Sequence, residues 1–108
     1  MTLAELSQKL GLKPLTELHD TEVQGAFVSD MVSDVMAGAA PGSLWITTQT
    51  HKNVVAAANL VDIAAVVVTS GRAVADEVIE MANRVDLTIL ITDLDTYGLV
   101  GQLHEAGV

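Results

Sequence analysis

The sequence predicts an α/β domain built on a mostly parallel sheet of four or five strands, covered by helices on both faces. Three observations carry this. Four apolar stretches stop on small hydroxyl or acidic residues: Ala26 to Val28 before Ser29-Asp30, Leu44 to Ile46 before Thr47-Thr48, Ala64 to Val68 before Thr69-Ser70, and Leu87 to Ile91 before Thr92-Asp93. Each is followed by a segment with helical spacing, and strands that alternate with helices pair in parallel. The third stretch is almost continuously apolar, as a strand buried on both faces must be.

The elements follow in order. Thr2-Leu3-Ala4-Glu5 has the spacing of a capping box, Leu3, Leu6 and Leu10 keep a helical period, and Gly11 suits the stop, so a helix spans about 3–10. Pro14 ends any continuation. The polar segment 15–24 has room for a short strand leading to Val23, and 25–28 is the first firm strand. Ser29 is placed to cap a helix beginning at Asp30, with Met31, Val32, Val35 and Met36 as its apolar stripe. The two methionines suit core packing or a soft interface. After the loop 37–42 comes a strand at 44–48, then a helix from His51 to Leu60 capped by Thr50, with alanines that allow close packing. A strand at 63–69, a helix at 73–84 facing inward through Val74, Val78 and Met81, with Ile79 and Ala82 as further candidates, a strand at 87–92 and a helix from Asp95 or Thr96 complete the chain. The last helix carries Leu99, Val100 and Leu103. The only repeat in this reading is Ser29-Asp30 echoed by Ser33-Asp34.

At 108 residues this is one domain, 1–108, with an α/β core from about 22. A chain of this size buries roughly two-thirds of its unfolded surface. Half of the residues are apolar and only 3% aromatic, so Val, Ile, Leu, Ala and Met build the core. So much apolar content in a small domain points to a homodimer that covers part of it; an ordinary self-contained core is the alternative. The formal net charge is −9, and the five basic residues are scattered, which leaves no patch for a nucleic acid. The acidic balance disfavours anionic membranes, and no apolar run is long enough to span a bilayer. The N-terminus lacks the pattern of a secretory signal. With no cysteine, disulfides and thiol catalysis are excluded. A cytoplasmic protein is the expectation.

Right-handed crossovers would place the loops after the four strands on one edge, where open α/β sheets bind small ligands. Thr47, Thr48, Gln49, Thr50, His51 and Asn53 gather hydroxyls, amides and an imidazole at a helix start, which suits an anion; capping by Thr50 and a solvated turn is the plainer alternative. Ser70, Gly71 and Arg72 form the second candidate, in which Gly71 lets the backbone approach a ligand and Arg72 supplies charge. Ser29 and Asp30 belong to the same edge. Asp30 and Asp34 share a helix face, which suits acid–base work or simply a favourable first-turn position. Asp95, with Asp93, could ligate a hard cation, but its place at a helix start favours a cap. Thr96 and Tyr97 complete the set; Tyr97 can stack on a ring or pack beside the helix. His19, His51 and His104 lack zinc spacing, so no metal is expected. No Gly-x-Ser-x-Gly or phosphate-loop pattern occurs, so no catalytic residue is assigned.

The run from Val23 to Met36, with Leu44-Trp45-Ile46-Thr47, Asn53 to Ala58, Thr69-Ser70-Gly71 and Asp95-Thr96-Tyr97, resembles the DRTGG domain family. Its members are similar to the N-terminal domain of HPr kinase/phosphorylase, and occur as regulatory segments in CBS-domain pyrophosphatases and phosphotransacetylases. The resemblance implies a three-layer α/β/α domain, commonly dimeric, of bacterial origin and regulatory rather than catalytic. The Asp-Arg-Thr-Gly-Gly sequence itself is absent; Thr48 to Asn53 stands in its place, without an arginine. The expected function is a non-enzymatic dimeric domain that binds a small anionic or nucleotide-like ligand at the strand-end loops and signals to a partner protein. No permanent cofactor is expected. The alternatives are a ligand-free interaction module, or a small enzyme with a site at the dimer interface.

Overall fold

A computed structural model describes residues 1–108. The elements are α1 (Leu3–Leu10), β1 (Lys13–Pro14), β2 (Gly25–Val28), α2 (Val32–Gly38), β3 (Ser43–Thr47), α3 (Asn53–Leu60), β4 (Ala65–Val68), α4 (Asp76–Arg84), β5 (Thr88–Ile91) and α5 (Thr96–Glu105). One five-stranded sheet runs β1-β5-β4-β3-β2. Strands β2 to β5 pair in parallel, and β1 pairs antiparallel with β5. From β2 to β5 the chain steps one strand at a time in one direction, so right-handed crossovers keep α2, α3 and α4 on a single face.

The core has two halves, one on each face. Val35 of α2, Val54, Val55 and Ala58 of α3, and Val78 and Ala82 of α4 pack with Trp45, Val66, Val68 and Ile89. On the opposite face Leu3 and Leu6 of α1 and Leu99 and Leu103 of α5 pack with Leu44, Ile46, Val67 and Leu90. Alternation along β3 sends Trp45 one way and Leu44 and Ile46 the other. This is the three-layer α/β arrangement the sequence indicated. No helix is long and apolar enough to cross a membrane.

Helix α1 forms as expected. The Thr2 hydroxyl accepts from the Glu5 N–H at 3.2 Å, Glu5 Oε1 accepts from the Thr2 N–H at 3.1 Å, and Gly11 closes the helix at φ 67°. The Thr2 N–H, followed by its hydroxyl, holds the Glu5 carboxyl below its usual range. Leu3 and Leu6 are fully buried, so α1 belongs to the core.

The segment after it differs from expectation. Lys13-Pro14 is an edge strand, where proline is tolerated because one side of the strand needs no donor. The chain then straps the margin of β5. Leu15 donates its N–H to the Ile89 carbonyl at 2.9 Å. The buried Thr16 hydroxyl accepts from the Ile89 N–H at 3.0 Å and lies 3.1 Å from the Leu87 carbonyl, as a strand neighbour would. Toward Val23 there is no strand, only an isolated bridge between Thr2 and Glu22.

Helices α3 and α4 end alike. Ala58-Asn59-Leu60-Val61-Asp62-Ile63 and Ala82-Asn83-Arg84-Val85-Asp86-Leu87 form an internal repeat that the sequence reading missed. In each, the aspartate takes the left-handed conformation, at φ 55° and 57°. Ile63 donates to Ala58 at 3.0 Å and Leu87 to Ala82 at 2.9 Å, which is the six-to-one bond of a Schellman cap. Ile63 and Leu87 are thereby engaged in caps, so β4 and β5 start later than the apolar runs suggest.

Candidate functional site

The parallel strands β2 to β5 bring all four expected loops to one rim. Two pairs of loops are cross-linked there. Asp30 Oδ1 accepts from the Thr47 hydroxyl and from the Thr48 N–H, both at 2.8 Å, and joins the loop after β2 to the loop after β3. The Thr48 N–H is the main reason the Asp30 carboxyl titrates below the usual range; partial desolvation opposes it, and the Arg72 guanidinium adds a smaller pull. The Thr47 hydroxyl also accepts from the Gln49 N–H at 3.0 Å. Trp45 Nε1 donates to the Ser29 carbonyl at 2.8 Å, which ties the same loop to the core.

The second pair is the loops after β4 and β5. The Thr69 and Thr96 hydroxyls lie 2.9 Å apart, Ser70 donates to the Leu94 carbonyl at 2.7 Å, and Gly71 donates to the Thr92 carbonyl at 3.0 Å. Ser70 and Gly71 are both left-handed, at φ 66° and 63°. A Cβ on Gly71 would sit 3.1 Å from Asp93 Oδ1, so this glycine serves the turn. Residues 72–75 stay outside the helix after this turn, and α4 begins at Asp76 rather than at 73.

Two caps differ from expectation. Ser29 does not cap a helix at Asp30; its hydroxyl accepts from the Met31 N–H at 3.0 Å in a local turn, and α2 starts at Val32 with Met31 at the N-cap. The Asp30 side chain is turned toward Thr47 and Thr48 instead. Thr50 does not cap α3, which begins at Asn53 with Lys52 at the N-cap. His51 provides the local acceptor: its Nδ1 takes the Asn53 N–H at 3.1 Å. The neutral imidazole therefore carries its proton on Nε2 and presents a donor. Asp95 caps α5, accepting from the Gly98 N–H at 2.8 Å.

A polar cleft of about 520 Å³ opens on this rim, between the starts of α3 and α4, lined by Gln49, Thr50, His51, Lys52, Glu77 and Val78. Gln49, Thr50 and His51 were expected there. Lys52 belongs to the same expected loop, though no role was assigned to it; Glu77 was not singled out by the sequence, since α4 brings it from 25 positions beyond Lys52 and no local spacing signals that approach. The other candidates stand apart from the cleft. Thr47, Thr96, Asp30 and Asp95 are engaged in the bonds above. Ser70, Gly71 and Arg72 lie on the loop beyond β4, and Asn53 is the first residue of α3. Tyr97 is 90% exposed and lines a shallow hollow on α5 with Val100, Gly101 and His104. No group of three or more His, Asp or Glu side chains is gathered closely enough to hold a metal ion.

Fold and rim define a small parallel α/β domain with a polar cleft at its strand ends. Residues 12–106 match the model of the DRTGG domain, and the chain belongs to that family. A similar fold occurs in a crystal structure of the CBS and DRTGG domains of the regulatory region of Clostridium perfringens pyrophosphatase, complexed with the activator diadenosine tetraphosphate. The two match with a TM-score of 0.68 at 17% identity, over 89% of this chain and 43% of that one. The chain thus spans less than half of that structure, and the likeness is one of fold. No curated protein matches the chain.

Proposed function

We propose that this domain is a non-enzymatic regulatory module of the cytoplasm. It binds a small phosphate-bearing or nucleotide-like ligand in the cleft between α3 and α4, and passes that state, as a dimer, to a partner protein or domain. The observation that carries this is the composition of the cleft. Lys52, the donor edge of His51 and the amide of Gln49 suit an anionic group. Glu77, on the opposite wall, accepts from hydroxyls or ring amines. Such a mixed wall fits a ligand that carries a phosphate at one end and donors at the other. Family membership supports the regulatory role, and the ligated regulatory region of similar fold makes a nucleotide a reasonable first probe.

Isothermal titration with ATP, diadenosine tetraphosphate and pyrophosphate tests the reading. The expected result is measurable heat for at least one of them, reduced by roughly tenfold or more in affinity by Lys52→Ala, and unchanged by Tyr97→Ala. A second reading, a ligand-free interaction module, draws on one observation: Asp30, Thr47, Asp95 and Thr96 are already paired within the chain. Absence of heat with all three probes supports that reading over the first.

A further inference from the structure

The sheet has two margins, and the chain treats them differently. At one, β1 is only two residues long, Pro14 has no N–H to offer, and the strap through Thr16 carries on beside β5. At the other, β2 is the last strand, and it contains no proline and no charged residue. Ser29 donates its N–H to the Ile46 carbonyl, in a parallel register that sets Phe27 beside Trp45 and Val28 beside Ile46. Alternation along a parallel ladder then turns the N–H and C=O of Phe27 toward β3, and those of Ala26 and Val28 outward. Ala26 and Val28 share the sheet face of Leu44 and Ile46, which α1 and α5 cover. That cover stops short of β2: both side chains are exposed, Val28 by 50%.

The surroundings of this margin are acidic. Between Lys13 and Lys52 the chain carries Glu17, Asp20, Glu22, Asp30 and Asp34, and no Lys or Arg. Glu22 is engaged by the amino terminus at 2.7 Å, and Asp30 is turned to the rim. Asp34 has no ion pair and lies at the end of β2, its Oδ2 3.4 Å from the Ser29 hydroxyl.

We propose that β2 is a docking edge, where an extended basic segment of a partner protein adds as a further strand. Outward backbone donors and acceptors in the plane of a sheet match those of another extended chain. Ala26 and Val28 offer its alternate side chains an apolar bed, while Asp34 and the net charge of −9 favour Lys or Arg at the other positions. A second copy fits this edge less well. Its own β2 would bring the same acids, and its opposite margin presents Pro14. The inference rests on the partner in the proposed function, for which it names the surface and the chemistry, and not on the ligand.

Hydrogen exchange of the ¹⁵N-labelled full chain tests it, with a short end-blocked peptide of alternating valine and lysine as the probe. The Ala26 and Val28 amides are expected to exchange as open positions in the free chain, and to slow by roughly tenfold or more at millimolar peptide. The same peptide with proline at its central valine keeps the charge but loses a donor, and glutamate in place of lysine reverses the charge; neither protects. Ala26→Pro removes one outward N–H and leaves the bonds to β3 in place. With its circular dichroism unchanged, it weakens the peptide by roughly tenfold, read at Val28. Asp34→Lys weakens it by about the same factor. No protection of Val28 by the lysine peptide overturns the inference. So does equal protection by the glutamate peptide, or binding undiminished in both variants. Protection in the chain alone that grows with its concentration also overturns it, and gives the edge to a second copy. None of these results turns on whether the rim cleft binds ATP or pyrophosphate, so either reading can fail alone.

Discussion

Asp30 shows how one side chain organises the rim. Its carboxylate holds a hydroxyl and a backbone N–H from the neighbouring loop, and the charged form is the better acceptor for both. Its pKa is lowered by folding, so its contribution is complete above the unfolded value of about 4 and fades as pH falls through the lower folded value. The group is exposed, which limits its worth. Asp30→Ala is expected to cost about 1 kcal/mol at neutral pH. Urea titrations at pH 7 and pH 3 should show the gap between wild type and Asp30→Asn narrowing in acid; a constant gap contradicts the assignment. Ser7 is the opposite case. Its hydroxyl is buried in α1 without a partner. Ser7→Ala is expected to raise stability by about 0.5–1.5 kcal/mol, since it removes an unsatisfied group and improves helix propensity. A loss of stability in the same titration would mean that the hydroxyl has a partner in solution.

At the scale of elements, the repeated end of α3 and α4 shapes the sheet. Each helix turns back through an aspartate in the left-handed conformation, and the following Ile63 or Leu87 closes the cap before its strand begins. Aspartate tolerates that conformation; a β-branched residue does not. Asp62→Val is expected to lower stability by about 1–2 kcal/mol, while Asp62→Gly leaves it equal or higher by up to about 1 kcal/mol. Thermal melts of the two variants check the order, and equal melts would show that the cap is not strained. Most elements were legible in the sequence because period and turn chemistry agreed there: the capping box of α1, the buried run of β4 and the Asp95 cap of α5. The errors have specific causes. Lys13-Pro14 is too short and too polar to read as a strand, and only its pairing with β5 reveals it. Ser29 and Thr50 look like caps, but the Ser29 hydroxyl closes a local turn on the Met31 N–H and His51 takes the Asn53 N–H, and both helices start later. Glu77 could not be placed at the cleft, because its approach to Lys52 is set by the packing of α3 beside α4.

For the molecule as a whole, charge and location are linked. Two of the five basic residues, Lys52 and Arg72, belong to rim loops, although the chain carries a net −9. An anionic ligand therefore meets an unfavourable overall field and a favourable local one. Salt screens the two unequally. The long-range repulsion is lost first, and the contact with Lys52 persists over a shorter range. The decisive measurement is a map of backbone amide shifts in the ¹⁵N-labelled protein as ATP, diadenosine tetraphosphate or pyrophosphate is added. The account predicts saturable shifts centred on Gln49, Thr50, His51, Lys52 and Glu77. No shift with any of the three, or shifts confined to α5 around Tyr97, would contradict it.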